Sequence, residues 1–201
     1  MNNGDGLRVV LWLSGCTHKC KNCQNPQTWD PDGGIRFDEE AKEELLNELG
    51  KDHISGLTLS GGDPLAPWNL DPVLDLVTEI KNPHNFQTPS SENPRKQLVS
   101  EAPKCNERPI SFAGKSIWIY SGYTWEEIFE ESKIIIDGYT AMAYECFEKR
   151  KNIISQCDVF VDGRYIDSKK NVSLKWRGSS NQRVIAVKKS LQQGDVVLWC
   201  D

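Results

Sequence analysis

Short apolar runs and helical repeats take turns along this chain. Leu7 to Leu13, apolar except for Arg8, predicts a buried strand. Asn25-Pro26 and Asp32-Gly33-Gly34 then punctuate the chain. Asp38 caps a predicted helix over Glu39–Leu49, with Ala41, Leu45, Leu46 and Leu49 on its apolar face and Gly50 at its end. Gly56–Ser60 predicts a second strand, followed by the loop Gly61-Gly62-Asp63-Pro64. Asp71-Pro72 opens a helix in which Val73, Leu74, Val77 and Ile80 recur at helical spacing. Ile117–Tyr120 predicts a third strand, and Thr124-Trp125-Glu126-Glu127 is a capping box for the next helix. A helical stretch covers Ala141–Ile154, and Val159–Val161 is a strand that ends at Asp162-Gly163. Arg183–Val187 and Val196–Trp199 are read as two late strands.

Strands alternating with helices predict an α/β fold with a mainly parallel sheet, open or barrel-like. In such sheets the loops after the strands open on one edge, and that edge carries the chemistry. Here those loops are the segment after Leu13, Gly61-Gly62-Asp63, Ser121-Gly122-Tyr123 and Asp162-Gly163-Arg164. The stretch 82–115 does not fit the alternation. It holds Pro83, Pro89, Pro94, Pro103 and Pro109 with many Ser, Asn and charged residues, and reads as a flexible insertion in a single domain spanning 1–201.

The formal net charge of −5 leaves no excess of Lys and Arg to displace counterions, which argues against a nucleic-acid binder. Val9 to Leu13 is too short for a signal core, and nothing approaches membrane-spanning length. Cytoplasmic residence is the expectation, and disulfides are rare there. Seven cysteines also pair poorly, being an odd number. Cys105, Cys146, Cys157 and Cys200 are scattered and read as plain thiols, with Cys105 open as a fourth ligand.

Cys16, Cys20 and Cys23 are not scattered. They form C-T-H-K-C-K-N-C on the loop leaving the first strand. Structural zinc sites usually draw on two separated ligand pairs, and no second pair exists here. His18 would complete a Cys3His set only as a cramped tetrahedron; otherwise it is a solvent or outer-sphere group. A thiol redox site would use Cys20 and Cys23 and leave Cys16 unexplained. A 4Fe–4S cluster takes one ligand per iron, so three cysteines would leave one iron open to an exchangeable ligand.

C-x3-C-x2-C behind a first strand resembles the signature of the radical S-adenosylmethionine enzymes. Further stretches narrow the resemblance. Asn3-Gly4-Asp5-Gly6 with Arg8-Val9-Val10, Asn25-Pro26 with Thr28-Trp29, Leu59 to Leu65, and Trp176-Arg177-Gly178-Ser179-Ser180-Asn181-Gln182 resemble the anaerobic ribonucleotide reductase activating enzymes. Ile117 to Tyr123 and Val161 to Arg164 are similar too. The likeness spans nearly the whole chain except 82–115. The chain departs from the wider superfamily at Asn22, where an aromatic residue often precedes the third cysteine, and at Gln24, where the activases often carry an aromatic residue or His.

The resemblance implies a partial parallel (β/α) barrel and a glycyl-radical activase. Cys16, Cys20 and Cys23 would bind three irons of a 4Fe–4S cluster, and the fourth iron would chelate S-adenosyl-L-methionine. One electron would cleave the sulfonium, and the resulting 5′-deoxyadenosyl radical would take a hydrogen from a glycine of the reductase. Asn22, Cys23, Gln24, Gly61, Gly62 and Asp63 would bind the cofactor. Gly61 and Gly62 would let backbone approach its methionine end, and Asp63 or nearby carbonyls would accept from its ammonium. The implied partners are the large subunit of anaerobic ribonucleotide reductase and a reduced flavodoxin-like electron donor, with no nucleic acid and no membrane. Backbone N–H groups around Gly15 and Asn22 are expected near the sulfurs. Arg177, Ser180, Asn181 and Gln182 are read equally as a cofactor or partner loop and as a polar turn. Asp162 and Arg164 are read equally as edge residues and as a surface ion pair. Trp29, Trp68, Trp118, Trp125, Trp176 and Trp199 are expected to pack in the core or at its rim. The rival readings are a pyruvate formate-lyase activase-like or deazaguanine synthase-like radical enzyme, and a non-enzymatic Fe–S or zinc module.

Overall fold

The computed structural model of the chain describes residues 3–82, 112–130 and 141–199. Most of the stretch 82–115, with Cys105, lies outside the described residues, as does Cys200.

Among the described residues, five strands form one sheet in chain order: β1 (Arg8–Leu13), β2 (Gly56–Gly61), β3 (Ser116–Tyr120), β4 (Val159–Asp162) and β5 (Arg183–Ala186). The first three junctions are parallel and the β4–β5 junction is antiparallel. Parallel neighbours require crossovers. The helices α1 (Glu39–Leu49), α2 (Leu70–Lys81), α3 (Trp125–Phe129) and α4 (Ala141–Gln156) lie in those crossovers, and α5 (Val187–Gln193) follows β5. The expected α/β architecture holds: a mostly parallel, unclosed sheet of the partial-barrel type.

Strand alternation divides the core. Leu57, Leu59, Ile117, Ile119, Phe160 and Ile185 are buried in one cluster with Leu46 and Leu49 of α1, Val73, Val77 and Ile80 of α2, and Ile153 and Ile154 of α4. The alternate positions Trp118, Val159, Val161 and Val184 form a smaller cluster on the opposite face, with Tyr120 and Trp176. Arg8 joins three strands on that second face. Its guanidinium donates to Thr58 Oγ1 at 2.7 Å, Leu57 O at 2.6 Å, and Ser116 O and Oγ at 2.7 and 2.9 Å.

Local signals are honoured at the helix starts. Asp38 Oδ1 accepts from Ala41 N at 3.0 Å. Thr124 and Glu127 form a reciprocal capping box, with Glu127 Oε2 accepting from Thr124 N at 2.8 Å.

Three expectations are corrected. β1 is not a buried strand: it is an edge, with one neighbour, half-buried positions and an exposed Trp12. β5 stops at Ala186, because Val187 opens α5. Val196–Trp199 is not a strand. Gly194 ends α5 in a left-handed turn, and among the described residues the chain after it meets β5 through Ala186 N to Val197 O at 2.8 Å and Trp199 N to Val184 O at 2.7 Å. Those bonds make one isolated bridge, Ile185 with Leu198, rather than a ladder. Among the described residues no helix is long and apolar enough to cross a membrane.

Candidate functional site

The segment after β1 is held to its neighbours by backbone. Gly15 N donates to Thr28 O at 2.7 Å and Cys16 N to Trp29 O at 3.1 Å, so the chain returns beside the cysteines through the helical turn Pro26–Thr28. Gly62 N donates to Leu13 O at 2.8 Å and Asp63 N to Gly15 O at 2.7 Å, which binds the loop after β2 to the cysteine loop. Asn69 Nδ2 adds bonds to Ser14 O at 3.0 Å and Asp63 O at 2.9 Å. Lys19 and Asn22 take positive φ values of 44° and 56°. A left-handed lysine carries strain of order 1 kcal/mol, a common trait of functional loops.

A cavity of about 350 Å³ opens over this edge. Cys16, Cys20, Cys23, Gln24, Gly61, Gly62 and Asp63 all line it, so four strand-end loops bring these sequence-predicted residues together with Ser121 and Arg164. Asn22 is not among the lining residues. Its Nδ2 donates to Asp167 Oδ2 at 2.9 Å and ties the cysteine loop to the segment after β4.

Gly61 and Gly62 also have a packing reason to be glycine. Gly61 has φ +102°, and a Cβ there would stand 2.7 Å from Leu13 N and O. A Cβ on Gly62 would meet Gly15 O and stand 2.8 Å from Thr28 O. What approaches these glycines closely is the cysteine loop's own backbone. Asp63 is similarly engaged. Its buried carboxylate accepts from Leu65 N at 2.8 Å, Ser121 Oγ at 2.8 Å and Gly122 N at 3.1 Å.

The thiols are half-buried. Burial pushes Cys16 up from the ordinary thiol value, opposed by backbone N–H groups of His18 and Lys19. Burial also raises Cys20, opposed by the backbone of Tyr165. Asn25 N lies 3.4 Å from Cys23 Sγ as a donor. The backbone groups at the sulfurs are therefore those of His18, Lys19, Cys20, Asn25 and Tyr165. Gly15 N is turned to Thr28 instead. Since iron binds thiolate, loading such thiols releases protons and is favoured by higher pH.

The donor set fits an iron–sulfur cluster. Soft thiolates suit it, and three of them share one cavity. Among the described residues no three His, Cys, Asp or Glu side chains gather closely enough to hold a single metal ion. A four-iron cube instead takes one ligand at each separate iron. The cavity wall also carries buried polar atoms with no hydrogen-bond partner among the described residues: Trp29 Nε1, Tyr120 Oη and Arg177 Nε. Each such atom costs about 1–3 kcal/mol when left unpaired, so the wall is built for a polar occupant.

The stretch Trp176–Gln182 is folded against the loop after β4. Gln182 Oε1 accepts from Gly178 N at 2.9 Å, its Nε2 donates to Gly163 O at 3.0 Å, and Asn181 Nδ2 donates to Arg164 O at 2.8 Å. Arg177 and Gln182 reach the cavity; Ser180 is exposed. Asp162 is not a surface ion pair. It is buried, accepts from Trp125 N at 2.9 Å, and is paired with Arg183. Trp12 and Trp29 line the cavity, while Trp118 is core. His18 and Tyr120 were not among the expected site residues, yet both reach the cavity. The His18 side chain is only 5 % exposed, so it is no solvent group. Its place between two cysteines, and the place of Tyr120 at a strand end, were the available signals.

Comparison with known proteins adds two findings. The 4Fe-4S single cluster domain family matches residues 2–90 and 106–185. The chain is also similar to proteins called anaerobic ribonucleoside-triphosphate reductase-activating protein. That of Haemophilus influenzae is 31% identical over 182 residues, covering 90% of this chain and 88% of its own. That of Enterobacteria phage T4 is 33% identical over 184 residues, covering 90% and 85%. That of Escherichia coli K12 is 32% identical over 184 residues, covering 90% of each.

Proposed function

The chain belongs to the anaerobic ribonucleoside-triphosphate reductase-activating protein family, and from that premise we propose that it is a radical S-adenosylmethionine activase that installs a glycyl radical on the large subunit of an anaerobic ribonucleotide reductase. Cys16, Cys20 and Cys23 hold three irons of a 4Fe–4S cluster. When bound, the reduced cluster and S-adenosyl-L-methionine supply the reductive carbon–sulfur cleavage that ends in hydrogen abstraction from glycine.

The chain's own residues place and shield these groups. Gln24, Gly61 and Gly62 stand on the wall beside the cysteines as cofactor contacts. Trp29 Nε1, Tyr120 Oη and Arg177 Nε are further polar contacts awaiting an acceptor. Asp63 orders the glycine loop that faces the cofactor's methionine end. Asn22 steadies the cysteine loop through Asp167. The aromatic rims Trp12 and Trp29 limit water at the mouth. A reduced flavodoxin-like protein is the proposed electron donor.

The convergence of three cysteines with the Gly61-Gly62 loop on one cavity carries this reading. Anaerobic reconstitution with iron and sulfide, followed by reduction with S-adenosyl-L-methionine, tests it. Formation of 5′-deoxyadenosine is expected, and a glycyl-radical signal once the reductase subunit is added. A cluster-loaded protein that yields no 5′-deoxyadenosine sinks the proposal. Cofactor cleavage without a radical on the reductase would move the chain to another radical enzyme. Zinc without acid-labile sulfide would leave a binding module.

A further inference from the structure

His18 meets all four loops of the functional edge. It belongs to the loop after β1. Its Nε2 stands 2.7 Å from Asp63 Oδ2 in the loop after β2, off the axis of a hydrogen bond. Its ring packs edge-on against Tyr123, with centroids 4.8 Å apart, in the loop after β3. Arg164 Nε, from the loop after β4, donates to His18 Nδ1 at 3.1 Å. Gly122 records the fit from the other side, since a Cβ there would stand 2.6 Å from His18 Nε2.

The chemistry of the partners orients the ring. A guanidinium only donates, so Nδ1 is the acceptor and the ring proton sits on Nε2, beside the Asp63 carboxylate. Arg164 is itself anchored, because Asn181 Nδ2 holds its carbonyl at 2.8 Å and Glu127 Oε1 lies 3.7 Å from its guanidinium. Tyr123 is anchored too, its hydroxyl accepting from Arg150 at 2.9 Å. The imidazole thus sits between two fixed walls.

We propose that His18 is a positioning residue: oriented by Arg164 and packed on Tyr123, its imidazole locks the Cys16–Cys20 segment onto Asp63 and so sets the distance between the cysteine side and the Gly61-Gly62 side of the cavity. His18 is not a ligand in this account. It sits two residues from Cys16 and two from Cys20, and its ring is turned to Asp63 and Arg164. Its loss leaves the three thiols in place but lets their loop shift against the glycine loop. The consequence falls on a molecule that must touch both sides at once, which is S-adenosyl-L-methionine under the proposed function. Groups that orient a metal site from behind its ligands typically contribute 10–100-fold in affinity or activity.

The inference rests on the cysteines being cluster ligands, so the experiment counts iron and sulfide first. The full chain is reconstituted anaerobically as wild type, His18→Phe, His18→Gln and Arg164→Leu. Two quantities are read: the affinity for S-adenosyl-L-methionine by equilibrium dialysis, and the change it causes in the electron paramagnetic resonance spectrum of the reduced cluster. His18→Phe keeps the ring packing and loses both polar ends. It is expected to retain wild-type iron, to bind the cofactor about tenfold more weakly, and to show a smaller spectral change. His18→Gln retains a donor and an acceptor and is expected within threefold of wild type. Arg164→Leu removes the orienting donor while leaving the sequence of the cysteine loop unchanged and is expected to weaken binding about threefold. Wild-type affinity and spectral change in iron-loaded His18→Phe overturn the proposal. If His18→Phe does not load iron, Arg164→Leu decides, and wild-type behaviour there overturns it. A wild type that loads no iron fails the cysteine assignment instead, which is a separate result.

Discussion

The hydroxyl of Ser121 faces both carboxylate oxygens of Asp63, at 2.8 and 3.0 Å, and so closes the loop after β2 on the loop after β3. Both residues are buried, Asp63 to 1 % exposure. Leu65 N and Gly122 N bind the same carboxylate. Asp63→Ala strips partners from a buried hydroxyl and two backbone N–H groups. A loss of about 2–4 kcal/mol in unfolding free energy is expected, read from denaturant midpoints. Asp63→Asn keeps some acceptors and is expected to lose less. Equal stability of Asp63→Ala and wild type would mean the carboxylate does not organise these loops.

An added Cβ would press harder on the cysteine loop at Gly62 than at Gly61. Gly62→Ala forces a methyl onto Gly15 O, while Gly62 N is bound to Leu13 O at 2.8 Å. Overpacking of this kind costs about 1–3 kcal/mol. The apoprotein is expected to melt lower and to take up less iron and sulfide on reconstitution. Unchanged melting together with full iron content would count against the observed approach of the two loops.

Glu126 carries the clearest pH signature. The guanidinium of Arg183 donates to its oxygens at 2.9 and 2.8 Å, and these bonds, more than any other cause, pull its pKa down to about 2. A carboxylate depressed in the folded state contributes stability that is fully present above its unfolded value of 4.5 and is lost as pH falls toward 2. Glu126→Gln is therefore expected to flatten the acid limb of the stability curve between those values while leaving its shape near neutrality unchanged. Denaturant midpoints measured across that window check the sign. The magnitude is modest, because both side chains are about one-third exposed. Arg183→Met is a harsher change, for it also abandons the buried Asp162, and about 2–4 kcal/mol is expected to be lost.

Local signals explain what the sequence makes legible. Asp38 and the pair Thr124 and Glu127 act within one helical turn, so α1 and α3 can be placed from neighbouring letters. Alternation likewise points Leu57 and Leu59 to one face of the sheet. The role of β1 as an edge is not local, because it depends on which strand lies beside it. Val196 to Trp199 has strand composition, yet β5 offers it only a two-bond edge contact. At the site, the cysteines and glycines are legible as a motif. The contact of His18 with Arg164, 146 positions away, is not, because it exists only once four loops converge. Asn22 shows the converse, with a motif position whose side chain is turned to Asp167.

Cysteine replacements separate ligands from bystanders. Cys157 is fully buried in the link between α4 and β4, its Sγ donating to Ile153 O at 3.3 Å, and burial pushes its thiol far up. Cys146 packs half-buried against the helical core. Neither lines the cavity that holds Cys16, Cys20 and Cys23. Cys146→Ala and Cys157→Ala are therefore expected to retain about four irons per chain, with Cys157→Ala losing up to about 2 kcal/mol of stability from its packing. Native Cys157 is also expected to resist alkylation until the protein unfolds, since the reactive form is the thiolate. Cys16→Ala, Cys20→Ala and Cys23→Ala are each expected to lose the cluster. Cys105 lies outside the described residues, so its variant carries the sharpest test. If three cysteines complete the protein's share, Cys105→Ala keeps both its iron and the spectral change on adding S-adenosyl-L-methionine. Loss of the cluster in Cys105→Ala would identify a fourth protein ligand, and the open iron on which the proposed function depends would not exist.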